Sequence, residues 1–151
     1  MIELAKTSGI INVPINDVFR YVSNMENYGH WFPGVVAIKS KNDLMHGTVG
    51  KTYAETLSLP EGECELIIEV VQCENNRVFL TKGDLAGVLP QMTVTFASNE
   101  KNNCHITLQY HSRDSSLTSK SDIVISLKED LKERAEKAIT SLKEILESEI
   151  L

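Results

Sequence analysis

The sequence predicts an α+β fold made of one strand, two short helices, six further strands joined mainly by hairpins, and one long C-terminal helix. Two observations predict it. The hydrophobic period is three-and-four over residues 15–22 and again from about residue 121 to 150, whereas it is two from 35 to 113, in segments rich in Val, Ile, Thr, Tyr and Phe. Those segments are separated by the turn clusters NDLMHG, PEG, ENN, GDLAG and NEKNN.

Residues 2–13 set Ile, Leu and Val among Thr and Ser, which suits a first strand with Gly9 as a candidate bulge. Pro14 fits the first turn of a helix, and Ile15, Val18, Phe19 and Val22 form one apolar stripe. Asn24 to Asn27 end it. Tyr28, His30, Trp31 and Phe32 then form a second short helix or turn, closed by Pro33-Gly34.

Strands are expected over 35–41, 50–59, 63–73, 77–83, 90–98 and 103–113. Alternation assigns their faces. Tyr53, Glu55, Leu57 and Leu59 share one side, as do Cys64, Leu66, Ile68 and Val70, opposite Glu63, Glu65 and Glu69. Met92, Val94 and Phe96 alternate with Thr93 and Thr95, and Cys104, Ile106, Leu108 and Tyr110 with His105, Thr107, Gln109 and His111. One apolar and one wet face is the mark of an antiparallel sheet.

The last segment, Ser121 to Ile150, carries Leu127, Leu131, Ala135, Ala138, Leu142 and Ile145 on a three-and-four repeat that only Glu149 breaks. About thirty residues of helix reach on the order of 45 Å, the width of a small domain. Ser121 is one candidate start, and Ser126 with Glu129 is a second, as a capping box. Asp130 with Arg134 and Glu133 with Lys137 are i, i+4 pairs expected on the outer face.

The 151 residues suffice for a single domain, 1–151, with a continuous core. A formal net charge of -6 and a pI near 5.2 oppose attraction to phosphate backbones, so nucleic acid is not an expected partner. Lys39, Lys41 and Lys51 read as solvated strand-edge charge. The three cysteines lack CxxC spacing and read as reduced packing residues. The N-terminus shows no basic-then-apolar leader and no apolar run is long enough to cross a bilayer, so a cytoplasmic protein without integral membrane association is expected. The oligomeric state is not encoded in any motif.

The order of these elements, with VPINDVFRYVSNMENYGHWFPGV at the start, GTVGKTY at 47–53, IIEVVQCENNRVFL at 67–80 and LKEILE at 142–147, resembles the SRPBCC superfamily. Its START, coenzyme Q-binding and pollen-allergen-like branches share this order, and the polyketide cyclase/dehydrase and lipid-transport branch is the most similar. The resemblance implies a helix-grip fold: a seven-stranded curved antiparallel sheet wrapped around a long C-terminal helix, with two short helices after the first strand plugging one end. It also implies a hydrophobic cavity between sheet and helix. Trp31 would then anchor the short helices rather than touch ligand.

Within such a cavity the ligand-binding candidates are Tyr28 and Phe32 from the short helices, and Tyr53, Glu55, Leu57, Leu66 and Ile68 from the early strands. Phe79, Met92, Val94 and Tyr110 follow from the later strands, and Leu131, Ala135 and Ala138 from the long helix, where the two alanines would leave room for a ligand. Glu55, Tyr53 and Tyr110 are the candidate catalytic groups, because alternation points them inward. A carboxylate among apolar neighbours must find a partner, take a proton or reach solvent; alternatively Glu55 lies at the rim or is turned out by a bulge.

No metal site is expected. His105 and His111 share a face but are about 20 Å apart along an extended strand, and His30 and His46 fall in helix-end and turn segments where exposure is the ordinary outcome. Neither a dinucleotide fingerprint nor a P-loop is present, so no cofactor is expected. Three functions fit: binding or transport of a lipid, isoprenoid or polyketide-like molecule; a polyketide cyclase or dehydratase moving protons with Glu55, Tyr53 or Tyr110; and a protein-interaction module of co-chaperone type.

Overall fold

Seven strands and three helices follow one another in the expected order. A computed structural model describes residues 1–59 and 62–148, and expectations resting on the Leu59 side chain, Pro60, Glu61, Glu149 and Ile150 lie outside the described residues. Strand β1 (Ile2–Ile11) leads to helix α1 (Ile15–Val22), a 3-10 turn at Met25–Asn27 and the short helix α2 (Tyr28–Trp31). Strands β2 (Val35–Ser40), β3 (Thr52–Leu59), β4 (Gly62–Glu74), β5 (Val78–Asp84), β6 (Pro90–Ser98) and β7 (Cys104–Ser112) precede helix α3 (Asp122–Ser148). All neighbours in the sheet are antiparallel, in the order β1-β7-β6-β5-β4-β3-β2.

Helix α1 starts behind Pro14, whose carbonyl accepts the N–H groups of Asp17 at 3.0 Å and Val18 at 3.3 Å. Its stripe buries Val18, Phe19 and Val22. Of the two starts left open for α3, the helix takes the earlier: the Ser121 carbonyl accepts Ile125 N–H at 3.1 Å, and Ser126 lies inside the helix. Among the described residues no helix is long and apolar enough to cross a membrane.

Gly9 is not a bulge. The β1–β7 ladder is regular there, Gly9 facing Ile106, and the irregularity falls between Glu3 and Ala5. A Cβ at residue 9 would sit 2.6 Å from Ile139 Cγ2, so the glycine exists to let α3 come down on β1. Lys51 also departs from expectation. It is only 3% exposed, because its ammonium donates to the Asn42 carbonyl at 2.7 Å and lies 5.5 Å over the Tyr53 ring.

Candidate functional site

Alternation along the sheet sends Glu55, Leu57, Leu66, Ile68, Met92 and Tyr110 to one end of the inner face. Facing them is the N-terminal half of α3, with Ile123, Leu127 and Leu131, while Tyr28 and Phe32 from the α2 segment close the flank. Together they enclose a cavity of about 600 Å³. Thr81 and Gly83 form part of its floor, where a Cβ on Gly83 would press on Leu66 Cδ1 at 2.9 Å and Pro90 Cγ at 3.0 Å.

Three polar side chains of this cavity, Tyr28, Tyr110 and Glu55, are neighbours. Tyr28 and Tyr110 join hydroxyl to hydroxyl at 2.9 Å, and Tyr110 also donates to the Met92 sulfur at 3.2 Å. A hydroxyl has one proton, so the chain runs in one direction, Tyr28 donating to Tyr110 and Tyr110 to Met92. Burial raises both phenols above their ordinary range, and the neighbouring Glu55 charge adds to this. They therefore act as neutral hydroxyls. Glu55 itself is 5% exposed, and burial pushes its carboxyl up to about 7. It makes no hydrogen bond or ion pair with any described residue.

Arg134 guards the mouth. Expected on the outer face, it is 19% exposed and lines the cavity instead. Its guanidinium donates to Asp130 Oδ2 at 3.0 Å and to the Pro33 carbonyl at 3.2 Å. Ile123, Leu127, Leu131 and Arg134 fall at spacings of four, four and three, so the guanidinium continues the cavity face of α3.

Nine of the expected ligand-binding residues line the cavity: Tyr28, Phe32, Glu55, Leu57, Leu66, Ile68, Met92, Tyr110 and Leu131. Tyr53, Phe79, Val94, Ala135 and Ala138 are buried but do not. Along the strands the inner face continues past the cavity into packed core, where Phe19 meets Phe96 edge-on at 5.0 Å. Along α3 the stripe past Arg134 descends onto β1, so Ala135 and Ala138 allow close approach rather than room for a ligand.

Tyr53 belongs to a separate polar chain. Its hydroxyl pairs with His46 Nδ1 at 2.6 Å, the two rings stack 5.8 Å apart, and His46 Nε2 lies 3.3 Å from Glu26. His46 is thus not a free turn residue; it ties the segment before β3 to the 3-10 turn. Burial raises the Tyr53 phenol to about 12. Of the remaining histidines, His30 and His105 are exposed and His111 is half-buried.

Several lining residues escaped sequence reasoning. Leu85 sits in the GDLAG turn and Val88 directly after it, where apolar residues in and beside a turn cluster were the available signal. Leu4 and Met25 also reach the cavity, from β1 and the 3-10 turn. Glu129, Asp130 and Glu133 add carboxylates from α3. The i, i+4 pairing of Asp130 with Arg134 was visible but does not say which way the pair faces.

No family model matches the sequence, and no curated protein does. Solved structures do match. StfQ, a di-domain ARO/CYC from the steffimycin biosynthetic pathway, superposes with a TM-score of 0.73 at 11% identity, over 99% of this chain and 52% of StfQ, so the chain spans about half of that protein. A START superfamily protein from Mycobacterium smegmatis gives a TM-score of 0.74 at 11% identity, over 97% of this chain and 98% of that one. Ara h 8.0201 gives 0.67 at 10% identity, over 95% and 96%. These likenesses establish the fold: the chain has the helix-grip architecture, a curved seven-stranded antiparallel sheet against a long C-terminal helix, that the sequence resemblance implied.

Proposed function

We propose that the protein binds a hydrophobic small molecule, of lipid, isoprenoid or polyketide-like character, between the sheet and the N-terminal half of α3. The cavity carries this reading. Its volume of about 600 Å³ falls within the range of small-molecule sites, its walls are mainly apolar, and three of its polar side chains, Tyr28, Tyr110 and Glu55, lie together. A ligand burying roughly 300 Å² of apolar surface would gain on the order of 7 kcal/mol before ordering costs. Native mass spectrometry of freshly purified protein, followed by extraction, tests it. A co-purifying apolar molecule that is lost on replacing Leu131 by Trp supports the reading; an empty protein that takes up no apolar probe refutes it.

A second reading is a cyclase or dehydratase, favoured by Glu55. A carboxyl that titrates near neutrality in an apolar cavity can both give and take a proton. The likeness to StfQ supports the same reading, and Tyr28 and Tyr110 would orient a carbonyl there. Tyr53 stands outside the cavity and has no part in it. Turnover of a polyketide-like chain that vanishes in Glu55→Gln, with binding retained, distinguishes enzyme from carrier.

A further inference from the structure

Glu55 lines the cavity at 5% exposure with no donor for its carboxylate among the described residues. The two hydroxyls beside it offer none, because the Tyr28 proton goes to Tyr110 and the Tyr110 proton to Met92. Among the described residues the only cation in the lining, Arg134, is held by Asp130 and the Pro33 carbonyl. The carboxylate is accessible from the cavity, where water can donate to it, so a ligand that displaces that water has to bring a donor of its own.

The rest of the lining says what kind of donor. Besides Glu55, the charged side chains around the cavity are Glu129, Asp130 and Glu133 against Arg134, the phenols of Tyr28 and Tyr110 being neutral. Asp130 is paired with Arg134 and Glu133 with Lys137, which lies outside the cavity, while Glu129 has no ion pair among the described residues. The field at the mouth and the unpaired carboxylate inside both favour positive charge and oppose an anionic head group.

We propose that the cavity selects a cationic amphiphile: an apolar body carrying an amine, whose ammonium is received by Glu55. This rests on the cavity being a ligand site. An ammonium supplies up to three N–H donors and a charge, and a charge-assisted bond is roughly twice as strong as a neutral one. A fatty-acid carboxylate would instead meet Glu55 in an apolar enclosure, where like charges are least screened.

The experiment measures displacement of a neutral apolar fluorophore, N-phenyl-1-naphthylamine, by decylamine, decanol and decanoate at about pH 8, each below its aggregation concentration. Decylamine is expected to compete at least about tenfold better than decanol, with decanoate the weakest, and Glu55→Gln should bring the amine within about threefold of the alcohol. Decanol competing as well as decylamine on the native protein overturns the inference and leaves the cavity reading intact. So does decanoate competing best, or an amine preference that survives Glu55→Gln. If the fluorophore does not bind, or none of the three displaces it, the cavity reading fails and this inference with it. The ranking on the native protein decides the matter even if the variant folds poorly.

Discussion

A Cβ added to Gly34 would lie 1.9 Å from Nη1 of Arg134, so the turn after α2 and the guanidinium of α3 occupy one another's space at the cavity mouth. Gly34 also holds φ at +93°, which side-chain-bearing residues rarely adopt. Gly34→Ala should therefore displace Arg134 from the Pro33 carbonyl and cost about 1–3 kcal/mol. Denaturant unfolding reads the cost, and stopped-flow release of a bound apolar probe should quicken. Native stability with native release would refute a role for the Arg134–Pro33 contact in holding the mouth closed.

Trp31 is 1% exposed and meets Tyr28 edge-on at 4.9 Å, but does not line the cavity. Trp31→Ala should cost about 3 kcal/mol or more, and native emission should be blue-shifted. Its indole N–H has no partner among the described residues, so Trp31→Phe should be much milder. Equal losses in the two variants, in thermal melts, would show that the N–H is satisfied.

Tyr53→Phe tests the separation of the two polar chains. Removing the hydroxyl breaks the 2.6 Å bond to His46 and should cost about 1 kcal/mol. Amide exchange in the segment before β3 should quicken while binding of an apolar probe stays unchanged. Weakened binding with unchanged exchange would put Tyr53 back in the site.

Tyr53 and Glu55 show where the sequence stops being legible. They point to the same side of β3, about 7 Å apart, and the two-residue period treats them alike. One reaches the cavity and the other is packed, because Tyr53 is covered by His46 and Lys51, and the space left over each position is set by contacts between residues that no local period relates. Gly9 and Ile139 are such a pair: their close approach seats α3 on β1 beside Ala138. Ala138→Phe is therefore expected to cost about 1–3 kcal/mol of folding, whereas Leu131→Trp should block uptake. Element order and inner faces were legible because each is a local period. Arg134 was not, since a charge beside an apolar stripe can face either way.

The pH dependence of stability isolates Glu55. Its carboxyl moves from an ordinary 4.5 to about 7 on folding, through burial. Below about pH 4.5 both states are protonated and the burial carries no ionic cost. Between 4.5 and 7 the unfolded chain has released the proton and the native protein keeps it, so stability falls as pH rises. Above 7 the loss is complete, on the order of 3 kcal/mol. The facing phenols do not mask it: Tyr28 and Tyr110 are raised and stay neutral. The lowered carboxyls of Glu74, Asp114, Glu133 and Glu147 act oppositely, losing stability as acid protonates them at lower pH. The histidines are common to both proteins, so the native minus Glu55→Gln difference reports Glu55 alone. That difference should fall between about pH 5 and 7 and leave the variant more stable above 7. Parallel curves from chemical denaturation would mean that Glu55 ionises as an exposed glutamate does, and would remove it from any part in ligand recognition or proton transfer.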